Sequence, residues 1–231
     1  PVYPLFGLAH APLASVAVAA ECLRVGKPTP LSFAQACTLP VTWSTTHAAV
    51  ERAALYAGNA FLVHAAAGGV GLKTVEYAHG LHAMLIGTAG RPHKHARLRE
   101  AGLNASCSSR DAAAFAIGAA RRLNGTRLHA LLNSLSLNFV AVSFASLGDG
   151  GAFEEIGKRG IWASERHCAS ASTTSYCAIA LDADMAVAPD WMHGVLGMLS
   201  VRAAAGVASS LPLQSFSMET QHERAFRTLQ S

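Results

Sequence analysis

The chain has 231 residues, 51% hydrophobic and 14% charged, with a net charge of +4. That is enough apolar material for a well-buried core and too little charge for a disordered or fibrous chain. No apolar run approaches the roughly 18–20 residues that span a bilayer, and the positive charge is not gathered into a basic run, which argues against membrane and nucleic acid partners.

Residues 1–33 are proline-rich, and 14–20 are small and β-branched enough for a strand closed by Val25-Gly26-Lys27-Pro28. Ser32 caps a short helix to Ala36, and a second helix is expected over about 42–56. From residue 60 the pattern alternates. Strands are expected at 61–63, 83–86, 105–107, 129–132, 152–156 and 176–181. Helices are expected from Leu72, over 92–101, from Asp111 to Leu123 and over 137–147. Such alternation implies right-handed βαβ units: an α/β, Rossmann-type doubly wound parallel sheet with helices on both faces. Residues 158–175 read as a surface loop, 190–205 as a long amphipathic helix, 211–216 as a strand, and Ser217 opens a last helix through Leu229.

The most informative stretch lies at 61–72, Phe-Leu-Val-His-Ala-Ala-Ala-Gly-Gly-Val-Gly-Leu. A short buried strand, a turn of small residues and a helix form the context in which glycines signal dinucleotide binding. Gly68 lets the backbone approach a pyrophosphate, Gly71 lets the helix pack tightly on the strand, and free N–H groups at the helix start face the anion. Ala66 replaces the first of the three usual glycines. The plain alternative is a glycine-rich turn between strand and helix.

The words His64-Ala-Ala-Ala-Gly-Gly-Val-Gly71 resemble the cofactor loop of zinc-free medium-chain reductases, namely the quinone oxidoreductases and the enoyl reductase domains of polyketide and fatty acid synthases. The resemblance continues along nearly the whole chain. It implies that 1–38 is the remnant of a GroES-like N-terminal substrate-binding domain. Residues 39–188 would form the NADPH-binding domain, and 189–231 would return towards the substrate domain. It implies cofactor contacts at Ala67, Gly68, Gly69, Val70 and Gly71. Leu39-Pro40-Val41 with Ser44 resembles the segment that brings a hydroxyl towards the nicotinamide, although relatives usually have Thr at the Ser44 position. Pro40 stands where zinc-dependent relatives carry a ligating cysteine, and proline cannot ligate, so no metal is expected. Cys22, Cys37, Cys107, Cys168 and Cys177 show no zinc spacing and read as free thiols of a reducing compartment, hence a cytoplasmic location, with organelle targeting left open. Pro1 is not an initiator methionine and no signal peptide is visible, so the chain is expected to begin, and by the same family pattern to end, inside a longer polypeptide.

The second strand runs out into Gly87-Thr88-Ala89-Gly90-Arg91-Pro92-His93-Lys94, with no carboxylate before Glu100. An acid there would bind the ribose hydroxyls of NAD, whereas Arg91 and Lys94 can neutralise a 2′-phosphate, which selects NADPH. The alternative is that both cations solvate a helix start. The resemblance adds Thr88 and the Ser109-Arg110 pair to the cofactor contacts. Asn133 and Ser134, at the carboxyl end of the fourth strand, are placed beside the nicotinamide ribose, with a turn-capping Asn as the alternative. Gly157 and Lys158 follow the fifth strand, and Asp182 ends the sixth. In synthase enoyl reductases the matching Lys and Asp are candidates for the proton donor to the substrate α-carbon, with Asp184 a neighbouring competitor here. A structural hydrogen bond accounts for His64.

The resulting expectation is an NADPH-dependent, zinc-independent enoyl reductase acting on an acyl thioester carried by an acyl carrier protein, amid neighbouring synthase domains. Its rivals are a free-standing quinone oxidoreductase and a non-catalytic NADPH-binding or scaffolding domain of a synthase. The Asn133-Ser134-Leu135 wording, Gly157-Lys158 and Ser109-Arg110-Asp111 favour the synthase type.

Overall fold

The computed structural model describes residues 3–9, 16–136 and 138–230, with residues 229 and 230 as backbone only. Its centre is a six-stranded, all-parallel sheet of β3 (Ala60–Val63), β4 (Met84–Ala89), β5 (Ser106–Ser108), β6 (Leu128–Asn133), β7 (Leu147–Glu155) and β8 (Ser175–Ala178). The spatial order is β5-β4-β3-β6-β7-β8. Counted within this sheet, that is third, second, first, fourth, fifth, sixth: the doubly wound order, whose direction reverses between β3 and β6.

The strands are apolar because both faces are covered. Along β3, Phe61 and Val63 enter one hydrophobic cluster, and Ala60 and Leu62 the opposite one. The first cluster lies under α2 (Pro40–Arg52), α3 (Gly69–Gly80) and α4 (Pro92–Glu100), and includes Ala49, Val75 and Leu98. The second lies under α5 (Ala112–Leu123) and α6 (Asn138–Ser146), and includes Phe115, Ala119, Val140 and Phe144. Strand residues two apart share a face, so one apolar run serves both layers.

A third cluster ties the ends of the chain together. The antiparallel pair β1 (Leu5–Gly7) and β2 (Arg24–Gly26), with α1 (Phe33–Ala36), packs Phe6, Leu23 and Ala36 against Trp43 of α2. Met192, Val195 and Leu199 of α9 (Pro189–Ala204) complete it. The Ser32 cap of α1 is present as a full capping box with Gln35.

Several elements differ from the sequence expectation. The loop expected at 158–175 contains a helix, α7 (Ser164–Ala171), none of whose residues is buried, so it left no apolar period to read. The sixth strand stops at Ala178, and α8 (Leu181–Val187) follows, so Asp182 stands in the first turn of a helix instead of ending a strand. Residues 211–216 form no strand, because no described segment pairs with them, and they lead into α10 (Met218–Gln230). Of the strand expected at 14–20, residues 16–20 are irregular and 14 and 15 lie outside the described residues, as does Leu137 at the start of the α6 pattern. No helix among the described residues is long and apolar enough to cross a membrane.

Candidate cofactor and active site

The reversal of strand order between β3 and β6 opens a crevice at the carboxyl ends of the strands, where sheets of this kind receive ligands. The segment 64–68 that leaves β3 there is held by backbone bonds. Ala65 is left-handed, with φ 48. Its N–H donates to Thr88 Oγ1 at 3.0 Å and its carbonyl accepts the Gly68 N–H at 2.9 Å. The Ala66 N–H donates to the Thr88 carbonyl at 2.9 Å.

A Cβ on Gly71 would lie 2.5 Å from both Cα and O of Ala66, so only glycine lets α3 settle on this turn. Ala66 in turn is fully buried, and a Cβ on Gly87 of β4 would come within 2.8 Å of its methyl. The methyl that departs from the three-glycine pattern is therefore housed above a glycine on the neighbouring strand. Gly68, with an extended backbone, caps α3. The amides of Gly69, Val70 and Gly71 meet no acceptor among the described residues. Three orphan donors at the positive end of a helix dipole suit an anion.

His64 is buried behind this turn. Its Nδ1 lies 3.2 Å from Thr88 Oγ1 and its Nε2 2.8 Å from Ser143 Oγ, with Phe115 and Phe139 edge-on to the ring. Burial lowers its pKa to about 3, so the ring is neutral. The structural hydrogen bond expected of His64 is thus present. Thr88, expected as a cofactor contact, is fully buried, and its hydroxyl serves Ala65 and His64.

Asn133 is likewise spent within the chain. Its Nδ2 donates to Glu155 Oε2 at 2.6 Å and to the Leu135 carbonyl at 2.7 Å, and its Oδ1 accepts the Leu135 N–H at 3.2 Å. Of the two readings open for Asn133, the turn-capping one matches these bonds. Ser134, half-buried, donates to the His64 carbonyl at 3.3 Å. Glu155, which sequence reasoning passed over, is the centre of this edge. Its Oε1 accepts the Gly157 N–H at 2.5 Å while Oε2 holds Asn133, stapling the turns after β6 and β7 together. A Cβ on Gly157 would fall 2.6 Å from Glu155 Oε1, so a larger residue there would displace the carboxylate that staples these turns. Burial raises the Glu155 pKa, and the bonds from Asn133 and Gly157 oppose it.

Ser44 lies inside α2, fully buried, and its hydroxyl has no partner among the described residues. On a helix it shares a stripe with Glu51, which accepts the indole N–H of Trp191 on α9 at 3.1 Å. The stripe nearest the start of α3 is that of Thr42 and Thr46. The Thr42 methyl is 3.1 Å from where a Gly69 Cβ would stand, and Thr46 Oγ1 is 3.0 Å from Thr74 Oγ1 of α3. By helix phase Ser44 therefore lies on the α9 side of α2, on the stripe opposite Thr42 and Thr46.

Lys158 and Asp182 are both exposed, and no hydrogen bond or ion pair joins them among the described residues. Asp184 is engaged elsewhere, accepting from Arg52 at 2.8 Å. Arg52 also approaches Cys177 Sγ at 3.5 Å. Beside them Glu154, 2% exposed with an unpartnered Oε2, is pushed by burial up to about 7 while Arg52 pulls it down. Near the carboxyl ends of β4 and β5, Arg91 and Lys94 are half-buried at the start of α4 and Arg110 is exposed after β5, none of them paired with a carboxylate among the described residues. A separate cavity of about 820 Å³ lies on the outer flank between α3, α4 and 209–212, lined by Lys73, Glu76, His79 and Arg97 among others, away from the strand ends.

No family model matches the chain. Among curated proteins, it is 40% identical over 147 residues to the hybrid polyketide–nonribosomal peptide synthetase pyvA of Aspergillus violaceofuscus, covering 62% of this chain and 4% of that protein. Among solved structures, it superposes on the CurK enoyl reductase with a TM-score of 0.86 at 32% identity, covering 92% of this chain and 63% of that one. Its curated relatives are polyketide synthases, and its structural neighbours include enoyl reductase domains of such synthases.

A further likeness fits that family: the nucleotide-binding subdomain of the PpsC enoylreductase domain from Mycobacterium tuberculosis, with a TM-score of 0.66 at 26% identity over 74% of this chain and 97% of that one. The chain spans only a small part of its curated synthase relatives and under two thirds of the CurK enoyl reductase. The doubly wound sheet is similar to that subdomain, and in this chain the turn at 64–71 lies where the strand order reverses.

Proposed function

We propose that this chain carries the NADPH-dependent enoyl reduction of a polyketide synthase, acting on an α,β-unsaturated acyl thioester presented by an acyl carrier protein. The observation that carries the reading is the row of acceptor-free amides at Gly69, Val70 and Gly71, set at the switch point by a glycine that no other residue can replace.

These amides, with Ala67 and Gly68, would hold the pyrophosphate of the dinucleotide. Arg91, Lys94, Ser109 and Arg110 would meet the 2′-phosphate of NADPH, no carboxylate standing there to repel it. Ser134 and Gly157, drawn together by Glu155, would border the nicotinamide end. When bound, NADPH supplies the hydride that the β-carbon of the thioester accepts. The chain's part is then to exclude water and to deliver a proton to the α-carbon, with the Lys158 ammonium or the Asp182 carboxyl as donor. Both are exposed, which suits groups completed by a substrate but equally suits a domain that binds without turning over.

Stopped-flow oxidation of NADPH with crotonyl-pantetheine separates these cases. Turnover to the saturated thioester that slows by a factor of ten or more, about 1.4 kcal/mol, in Lys158→Ala or Asp182→Asn supports the donor assignment. Tight NADPH binding with no turnover supports the scaffold reading instead. Replacing Arg91 and Lys94 by Ala weakens NADPH by about 1.5–3 kcal/mol for each charged hydrogen bond lost while hardly touching NADH. Equal losses for both cofactors would contradict the phosphate assignment.

A further inference from the structure

At the carboxyl end of β4 the chain continues Ala89-Gly90-Arg91. In sheets of this order an NAD-selecting acid stands near that point. Here the residue has no side chain, and its space is already taken. A Cβ built on Gly90 would lie 2.8 Å from Arg110 Nε, 3.1 Å from Arg110 Cγ and 3.1 Å from Ser109 Oγ. The Arg110 side chain thus lies across the Gly90 backbone.

The loop that brings it there is tied down on both sides. Ala89 and Ser108 are in register between β4 and β5, and the Ser109 N–H donates to the Ala89 carbonyl at 3.0 Å. Ser108 Oγ accepts the N–H groups of Arg110 at 3.1 Å and Asp111 at 3.2 Å. The adjacent Asp111 carboxylate is directed to the start of α5, where it accepts the Ala114 N–H at 2.9 Å. Arg110 forms no ion pair among the described residues.

We propose that Gly90 is a specificity-determining residue: by leaving its side-chain space to Arg110, it sets a guanidinium over the strand end where the adenosine ribose is met, favouring a phosphorylated ribose over a free hydroxyl. This rests on the dinucleotide reading above and adds to it the residue that places the cation. Gly90 is outside the left-handed region, so alanine fits its backbone. What stands in the way is a flexible side chain, which yields at little cost to the fold. A methyl at position 90 therefore moves Arg110 and leaves the domain standing.

The test is the ratio of NADH to NADPH dissociation constants, with thermal midpoints, for the wild-type chain, Gly90→Ala, Arg110→Gln and the double variant. Arg110→Gln lowers the ratio about tenfold or more, as expected for one charge-assisted phosphate contact. Gly90→Ala lowers it about fivefold with an unchanged midpoint, and the double variant is no worse than Arg110→Gln alone, because both act through one contact. A ratio that Gly90→Ala leaves unchanged, or fully additive losses, overturns the proposal. So does a collapse of the melting transition in Gly90→Ala, since Arg110 is then not the part that yields. A wild-type chain that binds neither cofactor, or both equally, sinks the NADPH reading and this inference with it; an NADPH preference undiminished in Gly90→Ala sinks the inference alone.

Discussion

The two sides of the switch point are built on different principles. On the β3–β4 side, the turn at 64–71 has its polar groups answered within the chain, apart from the amides that face outwards: Thr88 serves Ala65 and His64, and His64 serves Ser143. On the β7–β8 side, Glu154 and Asp184 near Arg52 each keep a buried carboxylate oxygen with no partner among the described residues. The first side is fixed by steric contact of backbone on backbone, so it holds one shape. The second holds charge at a cost, so its stability follows pH.

The largest effect expected is on the first side. Gly71→Val drives a side chain into the Ala66 backbone and should destabilise the chain by more than about 3 kcal/mol, read as loss of a cooperative urea transition. Gly68→Val should keep the fold and lose both dinucleotides, because Gly68 is exposed and faces the space assigned to the pyrophosphate. A Gly71→Val chain that melts like wild type would break the contrast.

The two sides should also answer pH with opposite signs. His64, held at about 3, has a folded pKa below its ordinary value, so its contribution is present above about 6.5 and lost as pH falls towards 3. Glu154, raised to about 7, contributes stability below its ordinary 4.5 that is lost as pH rises through 7. Glu154→Gln should therefore remove a loss of about 2 kcal/mol between pH 5 and pH 8, measured by urea unfolding across that range. An unchanged slope in Glu154→Gln would show that the carboxylate finds water or a cation.

A smaller effect is expected from Thr88→Val. It leaves the Ala65 N–H and His64 without their partner and should cost about 1–3 kcal/mol, with rescue by Thr88→Ser. The smallest belongs to Gly68→Ala. The Gly68 backbone, with φ −80, suits alanine, and the new methyl would stand 3.2 Å from the Ala65 carbonyl oxygen. Its stability should stay within about 1 kcal/mol of wild type. Equal losses in Gly68→Ala and Gly71→Val would erase the distinction between the exposed and the packed glycine.

Much of this molecule was legible in its residues because the central elements repeat a simple rule. Phe61-Leu62-Val63 must be covered on both faces, and 66–71 must turn tightly, so sheet, turn and helix follow from local pattern. The polar helix α7, with no buried residue, carried no such pattern. The strand expected at 211–216 depended on a neighbour that only three dimensions could supply or withhold. The expected site separates along the same line. Residue type alone marked Gly68, Gly71, Arg91, Lys94 and His64. Where a side chain turns is decided by helix phase and by the atoms packed against it, and this sent Ser44 towards α9 and consumed the polar groups of Thr88 and Asn133 inside the chain. Glu155 as a staple and Gly90 as the bed of Arg110 exist only once strands distant in sequence lie side by side.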